Sequence, residues 1–78
     1  MWKLYKENKY IQGELISSHK TEELARKKAK EVIGHSYTVK EETSKEVLIW
    51  LENEERTAVG IIVKTKKGAK RIRQGKGK

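Results

Sequence analysis

Apolar and polar residues alternate from Trp2 to Lys6, so that Trp2 and Leu4 point to one side and Lys3 and Tyr5 to the other, the period of a β-strand. A polar break, Glu7-Asn8-Lys9, precedes a second alternating stretch from Tyr10 to Ser17, and the two predict an antiparallel hairpin. Gly13, within the second stretch, predicts a bulge or close packing.

The period then changes. Thr21 is placed to cap a helix whose first turn holds Glu22 and Glu23, and Gly34 is placed to end it. Over Glu22 to Ile33, Leu24, Ala25, Ala29, Val32 and Ile33 fall within an arc of roughly 180°, opposite Glu23, Arg26, Lys27 and Lys30. Lys28 falls inside the arc and is expected to snorkel at its edge.

Three more strands are predicted: Ser36 to Glu41, Glu46 to Glu52 and Thr57 to Lys64. The last two hold near-continuous apolar runs, Val47-Leu48-Ile49-Trp50-Leu51 and Ala58-Val59-Gly60-Ile61-Ile62-Val63, suited to a central hairpin. The order is β-β-α-β-β-β. It predicts a small α+β domain with one amphipathic helix on one face of a mainly antiparallel sheet.

Alternation assigns the two faces. Trp2, Leu4, Ile11, Leu15, Val47, Ile49, Leu51, Val59, Ile61 and Val63 are expected under the helix. Tyr5, Tyr10, Ile16, Leu48, Trp50 and Ile62 are expected on the other face, which is too apolar for an ordinary solvated sheet.

Length limits the core. A chain of 78 residues makes one domain and buries only about 60–65% of the surface it exposes unfolded. Without cysteine it has neither disulfides nor thiolate metal sites to add stability, and no apolar run approaches the roughly 20 residues of a membrane span. A cytoplasmic, soluble protein is expected.

Charge changes the picture most. The chain carries 19 basic and 11 acidic residues, a net charge of +8, and every acid precedes Lys64. The body, residues 1–63, is therefore formally neutral, and the whole excess lies in residues 64–78, expected to form a disordered basic tail. Lys64, Lys66, Lys67, Lys70, Arg71, Arg73, Lys76 and Lys78 are the candidate phosphate ligands, because a dense block of like charge faces a partner of opposite sign. The tail has one bulky apolar residue, Ile72, too few for a membrane-surface helix.

Catalytic chemistry has little to draw on. There is no Asp or Cys, and the two histidines, His19 and His35, flank the helix as loop or cap residues without the spacing of a metal site. The adjacent pairs Glu41/Glu42 and Glu54/Glu55 point apart in strand or turn. Gly75 and Gly77 lack the strand and helix that make a phosphate-binding loop. No enzyme, cofactor, metal or small-molecule substrate is expected.

In element order alone, without a shared motif, the stretch from Met1 to Gly34 resembles the small arm-binding domains of tyrosine recombinases. The expectation is a non-enzymatic nucleic-acid-binding protein, for DNA or RNA, using its basic tail. The alternative is a protein-interaction module or homodimer built on Tyr5, Tyr10, Leu48, Trp50 and Ile62, with the tail incidental or docked on an acidic partner. Those aromatics also offer a base-stacking platform.

Overall fold

The computed structural model of the chain describes residues 1–6 and 13–66. Among these, one helix and five strands follow the predicted order: β1 (Trp2–Lys6), β2 (Leu15–His19), α1 (Glu22–Val32), β3 (Tyr37–Glu42), β4 (Glu46–Glu52) and β5 (Ala58–Thr65). All five strands lie in one sheet of order β2-β1-β5-β4-β3, and every pairing is antiparallel. The fold is α+β, as expected. The apolar runs of β4 and β5 pair near the middle, and β1 closes on β5 from the other side.

Helix α1 starts where its sequence dictates. Thr21 is extended, and its Oγ1 accepts the Leu24 N–H at 3.2 Å. Its end differs from expectation: no described glycine has a positive φ, and the C-cap is Ile33, in extended backbone, donating its N–H to the Ala29 carbonyl at 2.8 Å. Turning out of the helix there sends the Ile33 side chain into the core instead of leaving Gly34 to unwind the chain. Ala25, Ala29 and Ile33 form the buried stripe. Leu24 and Val32, at the flanks of the predicted arc, stay about half exposed. Two alanines at the contact let the helix lie close to the sheet.

The core joins that stripe to Leu4, Ile49, Leu51 and Ile62, with Trp2, Ile16 and Val59 packed around it. Each of the four large side chains is fully buried, which contributes about 1.5–3 kcal/mol apiece.

Two strands reverse the expected faces. In β5, Ile62 pairs with Leu4 and Ile49 and faces the helix, whereas Ile61, paired with Tyr5 and Trp50, and Val63, paired with Lys3 and Leu48, face away. Ile62 is thus a core residue and not part of the open face. The strand register shifts between Leu51 and Glu52, where Leu51 opposes Gly60 and Glu52 opposes Ala58, leaving Val59 as the extra residue. In β2, Leu4 opposes Ser17 and Tyr5 opposes Leu15, so Ile16 is extra and packs against the core while Leu15 lies half exposed. The irregularity is at Ile16, not Gly13, and β2 runs on through Ser18 and His19. Tyr10, Ile11 and Gln12 lie outside the described residues.

The sheet also continues past the start of the basic run. Lys64 and Thr65 belong to β5, and the Lys66 N–H donates to the Lys45 carbonyl at 2.8 Å. The body therefore reaches Lys66, three residues beyond the boundary at Val63; the stretch from Lys67 lies outside the described residues.

Candidate nucleic-acid interface

The root of the basic run is built into the sheet. Lys64 lies beside Trp2 on the helix-side face, its Nζ 5.4 Å from the indole centroid, a distance at which the aromatic face attracts a cation. Lys66 Nζ pairs with Glu42 Oε2 at 2.8 Å and, with Lys40 near, holds the Glu42 carboxyl below its ordinary range. Two of the eight predicted phosphate ligands thus already have partners within the fold. Lys67, Lys70, Arg71, Arg73, Lys76 and Lys78 lie outside the described residues, and their weight rests on sequence: six cations in twelve residues with no acid among them.

The face away from the helix gathers Tyr5, Leu48 and Trp50 as expected, with Ile61 and Val63 in place of Ile62. Tyr10 lies outside the described residues. Val39 pairs with Trp50, and Tyr37 and Leu15 extend the surface toward the two edge strands. The alternation of β3 already puts Tyr37 and Val39 together; their place beside Trp50 needed the β3–β4 register.

Polar groups pin this face at two points. Trp50 Nε1–H donates to Glu41 Oε1 at 3.1 Å. The Arg56 guanidinium lies 3.8 Å from the Tyr37 ring centroid and 3.7 Å from Glu52 Oε1. Strand parity places Glu41, Glu46, Glu52 and Lys3 on this side, and Arg56 reaches it from the β4–β5 turn over Tyr37. Among the described residues carboxylates therefore outnumber cations on this face.

No family model, curated protein or solved structure matches the chain.

His19 Nε2 shares a hydrogen bond of 2.8 Å with Ser17 Oγ on β2, and His35 Nδ1 bonds the Ile33 carbonyl at 2.9 Å just past the helix. Among the described residues no group of three His, Cys, Asp or Glu could hold a metal, and no helix is long and apolar enough to cross a membrane.

Proposed function

We propose that this protein is a small, non-enzymatic nucleic-acid-binding domain whose basic C-terminal run contacts phosphates. One observation carries the reading: the acids and bases of residues 1–63 balance, so the entire net charge of +8 follows Val63. A neutral, folded body bearing a concentrated cationic end is suited to a polyanion, and its affinity comes from counterion release. A chain without cysteine fits the reducing cytoplasm, where such a partner is found.

The test is binding to duplex DNA and single-stranded RNA across a salt series. Six phosphate contacts from residues 67–78 give a slope of log K against log salt near −5 on duplex DNA. A chain ending at Lys66, which keeps β5 whole, should lose most of that slope; unchanged affinity after this truncation would sink the reading.

A second reading has its own observation. The face around Trp50 is apolar and, among the described residues, carries more carboxylates than cations; Tyr5, Leu48, Trp50 and Val63 are half-buried around a buried Ile61, and Val39 and Tyr37 are exposed toward its edge. It is better suited to protein than to nucleic acid, and a homodimer through this face would leave both tails available.

A further inference from the structure

The side chains that β3 turns toward the helix are all polar. Thr38, Lys40 and Glu42 point to that side and are exposed, and polar side chains of α1 reach across to them. Lys40 Nζ lies 3.0 Å from Glu22 Oε1, and Arg26 Nε lies 2.8 Å from Glu22 Oε2. Arg26 Nη1 donates to Thr38 Oγ1 at 3.4 Å, and Lys30 Nζ donates to the His35 carbonyl at 3.2 Å. The result is a shallow groove of about 660 Å³, lined by the half-exposed Leu24 with Glu23, Arg26, Lys27, Lys30, His35 and Thr38.

The cations of this groove continue from the root of the basic run. Lys66 pairs with Glu42, Lys40 stands two residues away on β3, Arg26 follows across Glu22, and Lys30 lies one helical turn further on. One turn of helix and two residues of strand each advance about 5–7 Å, the scale on which successive phosphates of a nucleic-acid strand repeat. Within the groove three cations face one carboxylate, Glu23. Glu22 is already shared by two cations, and Glu31, a turn beyond Lys27, is not in the lining. The open face of the sheet has the opposite balance.

We propose that the groove between α1 and β3 is a second phosphate-binding site, in which Lys27 and Lys30, beside Arg26, hold the sugar–phosphate backbone of a nucleic acid whose adjoining stretch is bound by residues 67–78. This rests on the nucleic-acid reading and deepens it: the body selects a path for the strand along α1 and away from Trp50.

The test is Lys27→Gln with Lys30→Gln in the full chain. Both lysines are exposed and neither forms an ion pair among the described residues; Lys30 gives up only an exposed hydrogen bond to the His35 carbonyl and a charge in the last helical turn, so the thermal melt should fall by no more than a few degrees. The control, Lys3→Gln with Lys45→Gln, removes the same charge away from the groove. Binding is measured for a 20-mer duplex DNA and a 20-mer single-stranded RNA over a salt series. The groove variant should lower the duplex slope by about 1.8, or the RNA slope by about 1.4, and weaken binding several-fold more than the control does. The arm that responds identifies which nucleic acid lies in the groove. Equal losses in the two variants, or none, overturn the groove even if truncation after Lys66 still weakens binding. A wild-type chain that binds neither probe overturns the nucleic-acid reading and the groove with it.

Discussion

The Cδ1 methyl of Ile33 lies so close above Gly60 that a Cβ added to the glycine would sit 2.8 Å from it. The same atom would meet Leu51 Cδ1 at 3.0 Å and the Tyr5 carbonyl oxygen at 3.1 Å. The end of α1, the middle of β5 and the backbone of β1 therefore converge where only a hydrogen fits. Because Gly60 faces the helix, Ile62 must face it too, and Ile61 is sent to the opposite side.

Gly60→Ala is expected to destabilise the protein by about 1–3 kcal/mol, the usual cost of forcing one extra methyl into a packed core. Ile33→Val removes the nearest clashing atom, so the Gly60→Ala penalty should shrink in that background, although Leu51 and the Tyr5 carbonyl still oppose it. Urea unfolding of the four chains closes the cycle. Strictly additive losses would show that Ile33 does not set the limit.

This contact also explains which parts of the fold were legible in the sequence. Period and capping were enough for α1: Thr21, the two glutamates and the Ala25–Ala29 spacing each act within a turn or two of chain. Near-continuous apolar runs also marked β4 and β5 as central. Faces were harder. In β5 every position from Val59 to Val63 except Gly60 is β-branched and apolar, so the strand reads equally well in either parity, and a single extra residue at Val59 decides it. In β2, Ser17 and His19 are polar residues on the helix side, and Leu15 is an apolar one that stays exposed, so pairing with β1 overrides the local pattern. The candidate site divides the same way. Its charge is written in sequence, whereas the approach of Arg26 to Thr38 and of Lys30 to the His35 carbonyl depends on how helix and sheet cross.

Glu22 should titrate below an ordinary glutamate. The hydrogen bond from Lys40 is the largest cause; burial opposes it next, and the hydrogen bond from Arg26 with the charges of both cations keeps the net shift downward. A carboxyl depressed in the folded state adds stability above its unfolded value, about 4.3, and loses it as pH falls through the folded value. The partners are well exposed, so the contribution at neutral pH should stay below about 1 kcal/mol. In a carbon-detected NMR titration, Lys40→Gln should raise the Glu22 midpoint. It should also cost stability at pH 7 and little at pH 2.5, where Glu22 is protonated in either chain. An unmoved midpoint would mean that Lys40 is not the cause.

Arg56 has a φ of 65°, which places a non-glycine residue in left-handed backbone at the end of the β4–β5 turn. Asn53 Oδ1 holds that turn by accepting the Glu55 and Thr57 N–H groups at 3.0 and 2.9 Å. Arg56→Gly removes a strain of about 1–2 kcal/mol but gives up the contact with Tyr37, worth about 0.5–1 kcal/mol, and frees the unfolded chain. The net change should be small. In a Tyr37→Ala background the same substitution should be more favourable by about 0.5–1 kcal/mol, and thermal melts of the four chains measure that coupling. No coupling would leave the stacking over Tyr37 without energetic weight.

Trp50 offers the sharpest division between the two readings of the open face. Its indole N–H is fixed by Glu41, its neighbours Leu48, Ile61 and Val39 are apolar, and the surrounding carboxylates repel a phosphate backbone. If two copies meet here, Trp50 sits near the middle of the contact, where a buried tryptophan contributes most. Trp50→Glu should then turn a dimer into a monomer in sedimentation equilibrium while leaving the salt slope of nucleic-acid binding in place. If the face instead stacks bases, the same substitution should weaken binding to single-stranded RNA by about 1–3 kcal/mol without changing the mass in solution. The charge of the neighbourhood favours the first result, because stacking on Trp50 would draw phosphates toward Glu41 and Glu52. A monomeric wild type whose RNA affinity falls on Trp50→Glu would overturn that preference and place nucleic acid on both sides of the sheet.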